Sequence, residues 1–173
     1  MSESLLPAVT PDDDVAEEFR TMMRGFPTGV AVVTALDTTG RPWGMTCSSI
    51  CSVTLDPPTL LLCVRSGSPT LAAMRGRGAF TVNLLHEGAR DTAALFASGD
   101  PDRFDRVEWG FGGGGPHLKA DAHAVADCVI ARPPVEAGDH VVVFGAVERV
   151  ALVTGDPPLL YGHRQYRAWS AAS

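Results

Sequence analysis

Six runs of apolar and β-branched residues, each ended by turn residues, constrain the fold of this chain most. They cover residues 30–36, 44–55, 60–64, 80–85, 124–130 and 141–152, and runs of this kind are typical of β-strands. Regular crossover helices do not separate the runs, which disfavours a doubly wound parallel sheet. The pattern predicts a mostly β protein, a small antiparallel barrel with a few peripheral helices.

Three helices are predicted around these strands. The first follows an acidic start at residues 12–14 and carries apolar residues at helical spacing, with Arg24 and Gly25 as the stop. The second begins at Ser68 and Pro69, which have the form of an N-cap and a first helical residue, and ends near Gly76. The third covers residues 88–97.

Length and charge limit the class of protein. A chain of 173 residues is close to the size of one domain, so we expect a flexible N-terminal tail over residues 1–11 and a single domain over residues 12–173. The net charge of -6 and the lack of a Lys/Arg cluster argue against nucleic-acid binding. With no apolar run of membrane-spanning length and an acidic amino terminus, we expect no membrane association and a cytoplasmic location.

Neither the cysteines nor the glycine-rich segment has the sequence context of a metal or dinucleotide site. The cysteines Cys47, Cys51, Cys63 and Cys128 form no CxxC pair, so we expect small buried hydrophobic residues and no metal site. The segment 110–115 matches GxGxxG formally, but no convincing strand precedes it and no helix follows it. A dinucleotide-binding turn needs both, and we therefore expect a flexible glycine loop.

A strand dense in hydroxyl groups is the main chemical signal. Strand alternation would place Thr46 and Ser48 on one face and Ser49 on the other. Neutral donors at this density suit a phosphate or a polyhydroxylated chain such as a ribityl. An ordinary exposed polar face of an antiparallel strand explains the composition equally well, and the residues alone leave both interpretations open.

The order of motifs along the chain resembles a known family, the flavin reductase-like, FMN-binding split-barrel proteins that serve as reductase components of two-component monooxygenases. The matching segments are FPTGVAVVTA at residues 26–35, TxSSxxSVxLxPP at residues 46–58, FTVNLL at residues 80–85, and the later stretches 138–145 and 158–166. This resemblance implies an antiparallel Greek-key split β-barrel. It also implies FMN or FAD as the flavin and NADH or NADPH as the hydride donor.

The resemblance assigns roles to individual residues. Thr46, Ser48, Ser49, Ser68 and Thr70 would hold the ribityl and phosphate, although Ser68 could simply cap its helix. Pro27 and Thr28 would border the isoalloxazine ring, and the backbone of residues 83–85 would bind its edge. The complete set of implied flavin-binding residues is Pro27, Thr28, Met45, Thr46, Cys47, Ser48, Ser49, Cys63, Val64, Ser68, Thr70, Asn83, Leu84, Leu85, Phe96 and Arg164.

His140 and Tyr166 are the implied catalytic residues. The His140 imidazole could stabilise negative charge on a reduced flavin or contact the nicotinamide; alternatively it caps the turn at Gly138 and Asp139. Tyr166 offers an aromatic face to a flat cofactor, and Arg164 offers a guanidinium to a phosphate. Asn83 could instead be a turn residue at the end of a strand.

The function expected from these observations is an NAD(P)H:flavin oxidoreductase that supplies reduced flavin to a separate monooxygenase. The resembled family pairs as dimers with flavin near the interface, so a homodimer is also expected. One alternative is a split-barrel oxidase or oxygenase that retains FMN. A second alternative is a non-catalytic flavin-binding or haem-binding module in which His140 ligates iron.

Overall fold

A computed structural model describes residues 13–169 of the chain, and the predicted tail at residues 1–11 lies outside this range. Three α-helices are present: α1 (Asp13–Arg24), α2 (Pro69–Arg77) and α3 (Arg90–Ser98), followed by a short 3-10 helix at Arg103–Arg106. No helix within the described range is long and apolar enough to cross a membrane. The prediction of a few peripheral helices is confirmed.

Thirteen strands make up the rest of the regular structure within residues 13–169. They are β1 (Thr28–Gly29), β2 (Ala31–Leu36), β3 (Pro42–Cys47), β4 (Ile50–Leu55), β5 (Pro58–Arg65), β6 (Ala79–Leu85), β7 (Gly110–Phe111), β8 (Pro116–His117), β9 (Ala122–Ile130), β10 (Val135–Ala137), β11 (His140–Leu152), β12 (Leu159–Gly162) and β13 (Gln165–Ala168). Six of them, β1, β7, β8, β10, β12 and β13, were not predicted. Each is only two to four residues long, which is too short for alternation to be visible.

One large antiparallel sheet dominates the fold. Its strands are ordered β3-β2-β6-β9-β11-β5-β4, and β10 pairs with β11 outside this path. Strands β1, β12 and β13 form a second sheet, and β7 and β8 form a hairpin. The antiparallel pairing confirms the predicted fold class. The two edge strands of the large sheet, β3 and β4, are consecutive in the chain, so the sheet curls without closing.

Strand β2 lies at the centre of the packing because both of its faces are buried. Ala31 and Val33 face a core cluster that also contains Phe80 and Met74. Val32 faces a second cluster that includes residues of α3 and the 3-10 helix. A strand buried on both faces reads as a continuous apolar run in the sequence, which is why residues 30–36 were recognisable.

Several predicted boundaries are wrong. The run at residues 44–55 is two strands, because the chain leaves the sheet at Ser48 and Ser49 between β3 and β4. Helix α2 continues past Gly76 to Arg77, and Gly78 ends it in a left-handed conformation with φ of 69°, as a helix C-cap requires. The apolar face of α1 does not pack into the core, since Val15 and Phe19 are exposed.

The glycine segment at residues 110–115 is an ordered turn, so the expectation of a flexible loop is wrong. The backbone N–H groups of Gly113 and Gly114 each donate to the carboxylate of Asp127, both over 3.1 Å. A Cβ at Gly115 would lie 2.6 Å from the carbonyl oxygen of Thr34. The turn therefore packs against the sheet at a distance that only glycine allows. No strand–turn–helix unit is formed, which agrees with the rejection of the dinucleotide motif.

Asp127 is the centre of a buried polar cluster. Its Oδ1 accepts a hydrogen bond from Thr81 Oγ1 over 2.6 Å and lies 2.8 Å from His117 Nε2. Burial alone would raise the pKa of Asp127, but the hydrogen bonds from Thr81, His117 and the glycine amides outweigh it and lower the pKa below its ordinary value. The ionised carboxylate is therefore part of the folded structure.

We expect Asp127→Asn to lower the free energy of unfolding by about 3 kcal/mol at pH 7, because an amide cannot accept the same set of hydrogen bonds in a buried site. A carboxylate with a lowered pKa stabilises the fold above its unfolded-state pKa of about 4, and this contribution is lost as the pH falls toward the lower folded-state value. Urea unfolding of both proteins between neutral and acidic pH measures the difference. Asp156→Asn, at an exposed loop position, is the control; an equal loss in both variants would contradict the prediction.

Candidate active site

A cavity of about 810 Å³ opens beside the link between β3 and β4, the two edge strands of the large sheet. Strand β3 and the link at Ser48 and Ser49 form one wall, and the end of β5 with the start of α2 forms another. The turn before β11 and the α3 end complete the lining. The lining residues are Gly44, Met45, Thr46, Cys47, Ser48, Ser49, Cys63, Arg65, Ser66, Gly67, Ser68, Pro69, Thr70, Phe96, Ala97, Gly99, Arg103, Gly138, Asp139 and His140. We call this space the split cavity.

A second cavity of about 690 Å³ adjoins the split cavity and shares Ser48, Ser49 and Cys63 with it. Its remaining lining comes from α1, β1, β4, β5 and the β12–β13 turn. Phe19 and Phe26 make much of this wall apolar. The two spaces therefore meet at the link between β3 and β4, and we call the second one the helix cavity.

The fold gathers most of the predicted site residues at these cavities. Those that line the split cavity are Met45, Thr46, Cys47, Ser48, Ser49, Cys63, Ser68, Thr70, Phe96 and His140. Thr28 and Arg164 line the helix cavity. The predicted residues that line neither cavity are Pro27, Val64, Asn83, Leu84, Leu85 and Tyr166. Their flavin contacts stay predictions.

The hydroxyl-rich segment differs in detail from the expected alternation. Because regular strand ends at Cys47 and resumes at Ile50, strand alternation does not apply to Ser48 and Ser49, and both residues line the split cavity. The Thr46 hydroxyl donates to the carbonyl of Ala93 in α3 over 2.6 Å. It therefore ties α3 to β3, and toward the cavity it can only accept a hydrogen bond.

The N-terminus of α2 opens toward the split cavity. Ser68 occupies the N-cap position, but its side chain makes no capping hydrogen bond, so the simple capping role is not observed. Its hydroxyl lies 3.6 Å from the sulfur of Met45. Free backbone N–H groups at a helix N-terminus attract anions. With Thr70 buried beside it, this end of the cavity is suited to a phosphate.

His140 is the first residue of β11 and lines the split cavity next to Arg65 at the end of β5. Its Nδ1 lies 2.7 Å from Oδ1 of Asp139, and its side chain is 42% exposed. The hydrogen bond and positive charge of His140 lower the pKa of Asp139, and Arg65, 3.8 Å from that carboxylate, lowers it further. Gly138 forms the preceding turn with φ of 61°. His140 therefore lines the cavity and also holds the turn residue Asp139.

The cysteines are not all buried. Burial raises the pKa of the Cys47 thiol to about 11 and that of the Cys128 thiol to about 12. Cys63, however, is half-buried at the junction of the two cavities, and Cys51 is exposed on β4. The expectation of uniformly buried cysteines is wrong, because β4 is an edge strand with one face open. Within residues 13–169, no three His, Cys, Asp or Glu side chains are grouped as metal ligands.

Asn83 is a buried structural residue within β6. Its Nδ2 donates to the carbonyl of Val32 and to Thr34 Oγ1, both over 3.1 Å, and its Oδ1 accepts the Leu118 N–H over 2.9 Å. It thus joins β6 to β2 and to the segment after β8. The alternative of a turn residue at a strand end is wrong, since β6 continues to Leu85. The predicted flavin contact at Asn83 stays a prediction.

Tyr166 packs at the end of the smaller sheet. Its ring centroid lies 5.2 Å from that of Tyr161, and the guanidinium carbon of Arg90 lies 6.0 Å from the ring. Burial raises the pKa of its phenol. In this arrangement Tyr166 contacts the second core cluster, and its predicted role beside the nicotinamide stays a prediction.

Ten residues that line the split cavity were not predicted as site residues: Gly44, Arg65, Ser66, Gly67, Pro69, Ala97, Gly99, Arg103, Gly138 and Asp139. Asp139 directly precedes the predicted residue His140. An acidic residue next to a histidine in the sequence was a signal that could have identified Asp139. Arg103 follows the turn residues Asp100 and Pro101 in an irregular segment, where no periodicity indicates which side chains turn inward.

Comparison with known proteins agrees with this geometry. The flavin reductase like domain model matches residues 23–170. A flavin reductase (NADPH) of Lentzea aerocolonigenes is 50% identical over 157 residues, covering 90% of this chain and 91% of the relative. The reductase subunit of a flavin-dependent monooxygenase of Rhodococcus jostii (strain RHA1) is 36% identical over 164 residues, covering 91% of this chain and 83% of the relative.

A solved structure extends the comparison to three dimensions. An NADH:FAD oxidoreductase of Streptomyces globisporus C-1027, in complex with NAD and FAD fragments, superposes with a TM-score of 0.83 at 32% identity. The match covers 94% of this chain and 98% of that structure. Sequence and fold therefore agree, and the resemblance inferred from the motifs is confirmed: the chain belongs to the flavin reductase-like family.

Proposed function

We propose that this protein is an NAD(P)H:flavin oxidoreductase, which passes hydride from NADH or NADPH to FMN or FAD and supplies reduced flavin to a separate monooxygenase. The observation that carries the proposal is the split cavity, where hydroxyl groups, a helix N-terminus and His140 converge. Family membership supports the same enzyme class, as do relatives named as flavin reductases and as a monooxygenase reductase subunit. The predicted class of enzyme is confirmed by these relatives.

The residues present fit a flavin. A volume of about 810 Å³ is within the range of sites that enclose one small organic ligand, roughly 300–1,000 Å³. Ser48 and Ser49 would hold the ribityl, and Ser68 with the α2 N-terminus would hold the phosphate. When bound, a flavin would supply the two-electron chemistry, as the group that takes up hydride from a nicotinamide.

The protein's own residues orient and enclose the ligands. Asp139 stays ionised because its pKa is lowered, and it holds the His140 ring through Nδ1. The Nε2 atom of His140 has no protein partner within the described range, and we infer that it faces the bound ligands as a donor for developing negative charge. Phe19 and Phe26 of the helix cavity would exclude water from the junction.

We expect purified protein to oxidise NADH or NADPH much faster when FMN or FAD is added than without flavin. Steady-state absorbance at the reduced-nicotinamide band measures this rate. No acceleration by either flavin would contradict the proposal. Flavin that survives desalting and turns over without a partner would favour an oxidase or oxygenase with retained FMN, and a haem Soret band without NADH turnover would favour the binding module.

We expect His140→Ala to lower kcat/KM for flavin reduction by roughly 10- to 100-fold, because it removes a donor to developing charge. The melting temperature should stay close to that of wild type, since the side chain is 42% exposed. His123→Ala is the matched control, because His123 lies on β9 and lines neither cavity. Equal rates for both variants would exclude His140 from the reaction.

We also propose a homodimer in which a second copy covers the apolar face of α1. Val15, Phe19 and Met22 are exposed on this helix, and water contact with large apolar side chains is unfavourable. Phe19 also lines the helix cavity, so the covered face would be continuous with the site.

A cytoplasmic location, a single domain over residues 12–173, and the choice between FMN and FAD stay predictions.

We expect Phe19→Asp to weaken the dimer by roughly 100-fold, because a charge replaces a buried aromatic anchor. Thr21→Asp adds the same charge on the opposite face of α1 and should leave the dimer intact. Multi-angle light scattering across a dilution series measures the mass of each variant. A wild-type monomer at micromolar concentration, or equal dissociation of both variants, would contradict this interface.

A further inference from the structure

Arg103 is a buried cation in the split cavity, and few polar groups contact its guanidinium. The residue is 8% exposed and lines the cavity. Within the described range its guanidinium makes one hydrogen bond, from Nη1 to the Asp100 carbonyl over 2.8 Å, and the buried Nε has no partner. Burial lowers the pKa of Arg103, against the favourable field of Asp100. A buried guanidinium with a single neutral acceptor is costly unless an anion completes its partners.

The Asp139 carboxylate already partners the other arginine and the histidine of this cavity. Arg65 lies 3.8 Å from the Asp139 carboxylate, and His140 lies 2.7 Å from the same carboxylate. Among the cavity-lining side chains of residues 13–169, Arg103 is thus the arginine without an ion pair. Arg41 adds further positive potential, which lowers the pKa of Arg103. This side of the cavity therefore attracts an anion.

The chain also fixes Arg103 in place before any ligand binds. Asp100 Oδ1 accepts the N–H of Asp102 over 2.8 Å, and Asp100 Oδ2 is 3.0 Å from Nη1 of Arg106. Phe104, the next residue, packs edge-on against Phe96 with ring centroids 5.1 Å apart. A guanidinium held by its own turn loses little freedom on binding, and its planar fork matches phosphate oxygens.

We propose that Arg103 binds a phosphate group of one of the two nucleotides that meet in the split cavity, as a second phosphate subsite apart from the α2 N-terminus. This inference rests on the proposed function for the identity of the nucleotides. The phosphate belongs either to the flavin or to the nicotinamide dinucleotide. Both sources present the same chemistry, and kinetics with riboflavin, FMN and NADH distinguish them.

The test compares Arg103→Gln, Arg103→Lys and the control Arg77→Gln, which removes an exposed arginine from the end of α2 outside both cavities. Loss of a charge-assisted hydrogen bond in a buried site weakens binding by roughly 10- to 100-fold. We therefore expect a rise of that size in one KM for Arg103→Gln, a smaller rise for Arg103→Lys, and none for Arg77→Gln.

The pattern of KM values identifies the source. A rise for FMN with no rise for riboflavin assigns Arg103 to the flavin phosphate, and a rise for NADH alone assigns it to the nicotinamide dinucleotide. Unchanged KM values for all three ligands would overturn the proposal. An equal rise for riboflavin and FMN without one for NADH would overturn it too, since riboflavin has no phosphate.

A second measurement does not depend on turnover. Pyrophosphate should raise the melting temperature of the wild type in a concentration-dependent way, with an apparent Kd that weakens roughly tenfold or more in Arg103→Gln. Arg103→Lys serves the same comparison if the glutamine variant does not fold. If the wild type shows no flavin-dependent turnover, the proposed function fails and this measurement alone decides the role of Arg103. Equal pyrophosphate affinity in all variants would overturn it.

Discussion

The open edge of the curled sheet is the constraint on which the site depends. Strands β3 and β4 end the sheet on either side, yet only Ser48 and Ser49 separate them in the chain. Free strand edges carry unpaired backbone groups. The N–H of Cys63 on β5 donates to the Ser49 carbonyl over 3.1 Å, which continues the β4–β5 ladder into this link. Strands β3 and β4 do not pair with each other, and the hydroxyl-bearing Ser48 and Ser49 line the cavities beside the link. Both cavities meet at that point.

Two buried polar residues fix how the segments on the other side of the sheet pack against it. Asp127 on β9 fixes the glycine turn between β7 and β8, and Asn83 on β6 joins β2 to the segment after the hairpin. Each is almost completely buried, and each satisfies several donors or acceptors that would be expensive to leave unpaired. These residues specify which segments meet, while the apolar clusters around β2 supply most of the burial.

The charged side chains around the split cavity differ in whether a carboxylate contacts them. Asp139 engages both His140 and Arg65 at the mouth, where its exposure to solvent weakens the net attraction. Arg103 lies deeper and lacks such a carboxylate partner within the described residues. Hydroxyl groups and the α2 N-terminus lie on the facing walls. The cavity therefore combines neutral donors with one strongly directional cation, which suits nucleotides whose charge is concentrated on phosphate.

The sequence by itself determined the main strands, the three helices, the family, and ten of the residues that line the split cavity. Periodicity and turn residues record whether a segment is buried and where it ends, which is local information. Only the tertiary structure decided that the strand breaks at Ser48, that Asn83 is a core residue, and that Arg103 turns into the cavity. These facts depend on partners far away in the chain: Asn83 and Leu118, Thr46 and Ala93, Arg103 and the walls formed by β3 and α2. Contacts of that kind arise from packing between elements, and the pattern within one element does not contain them.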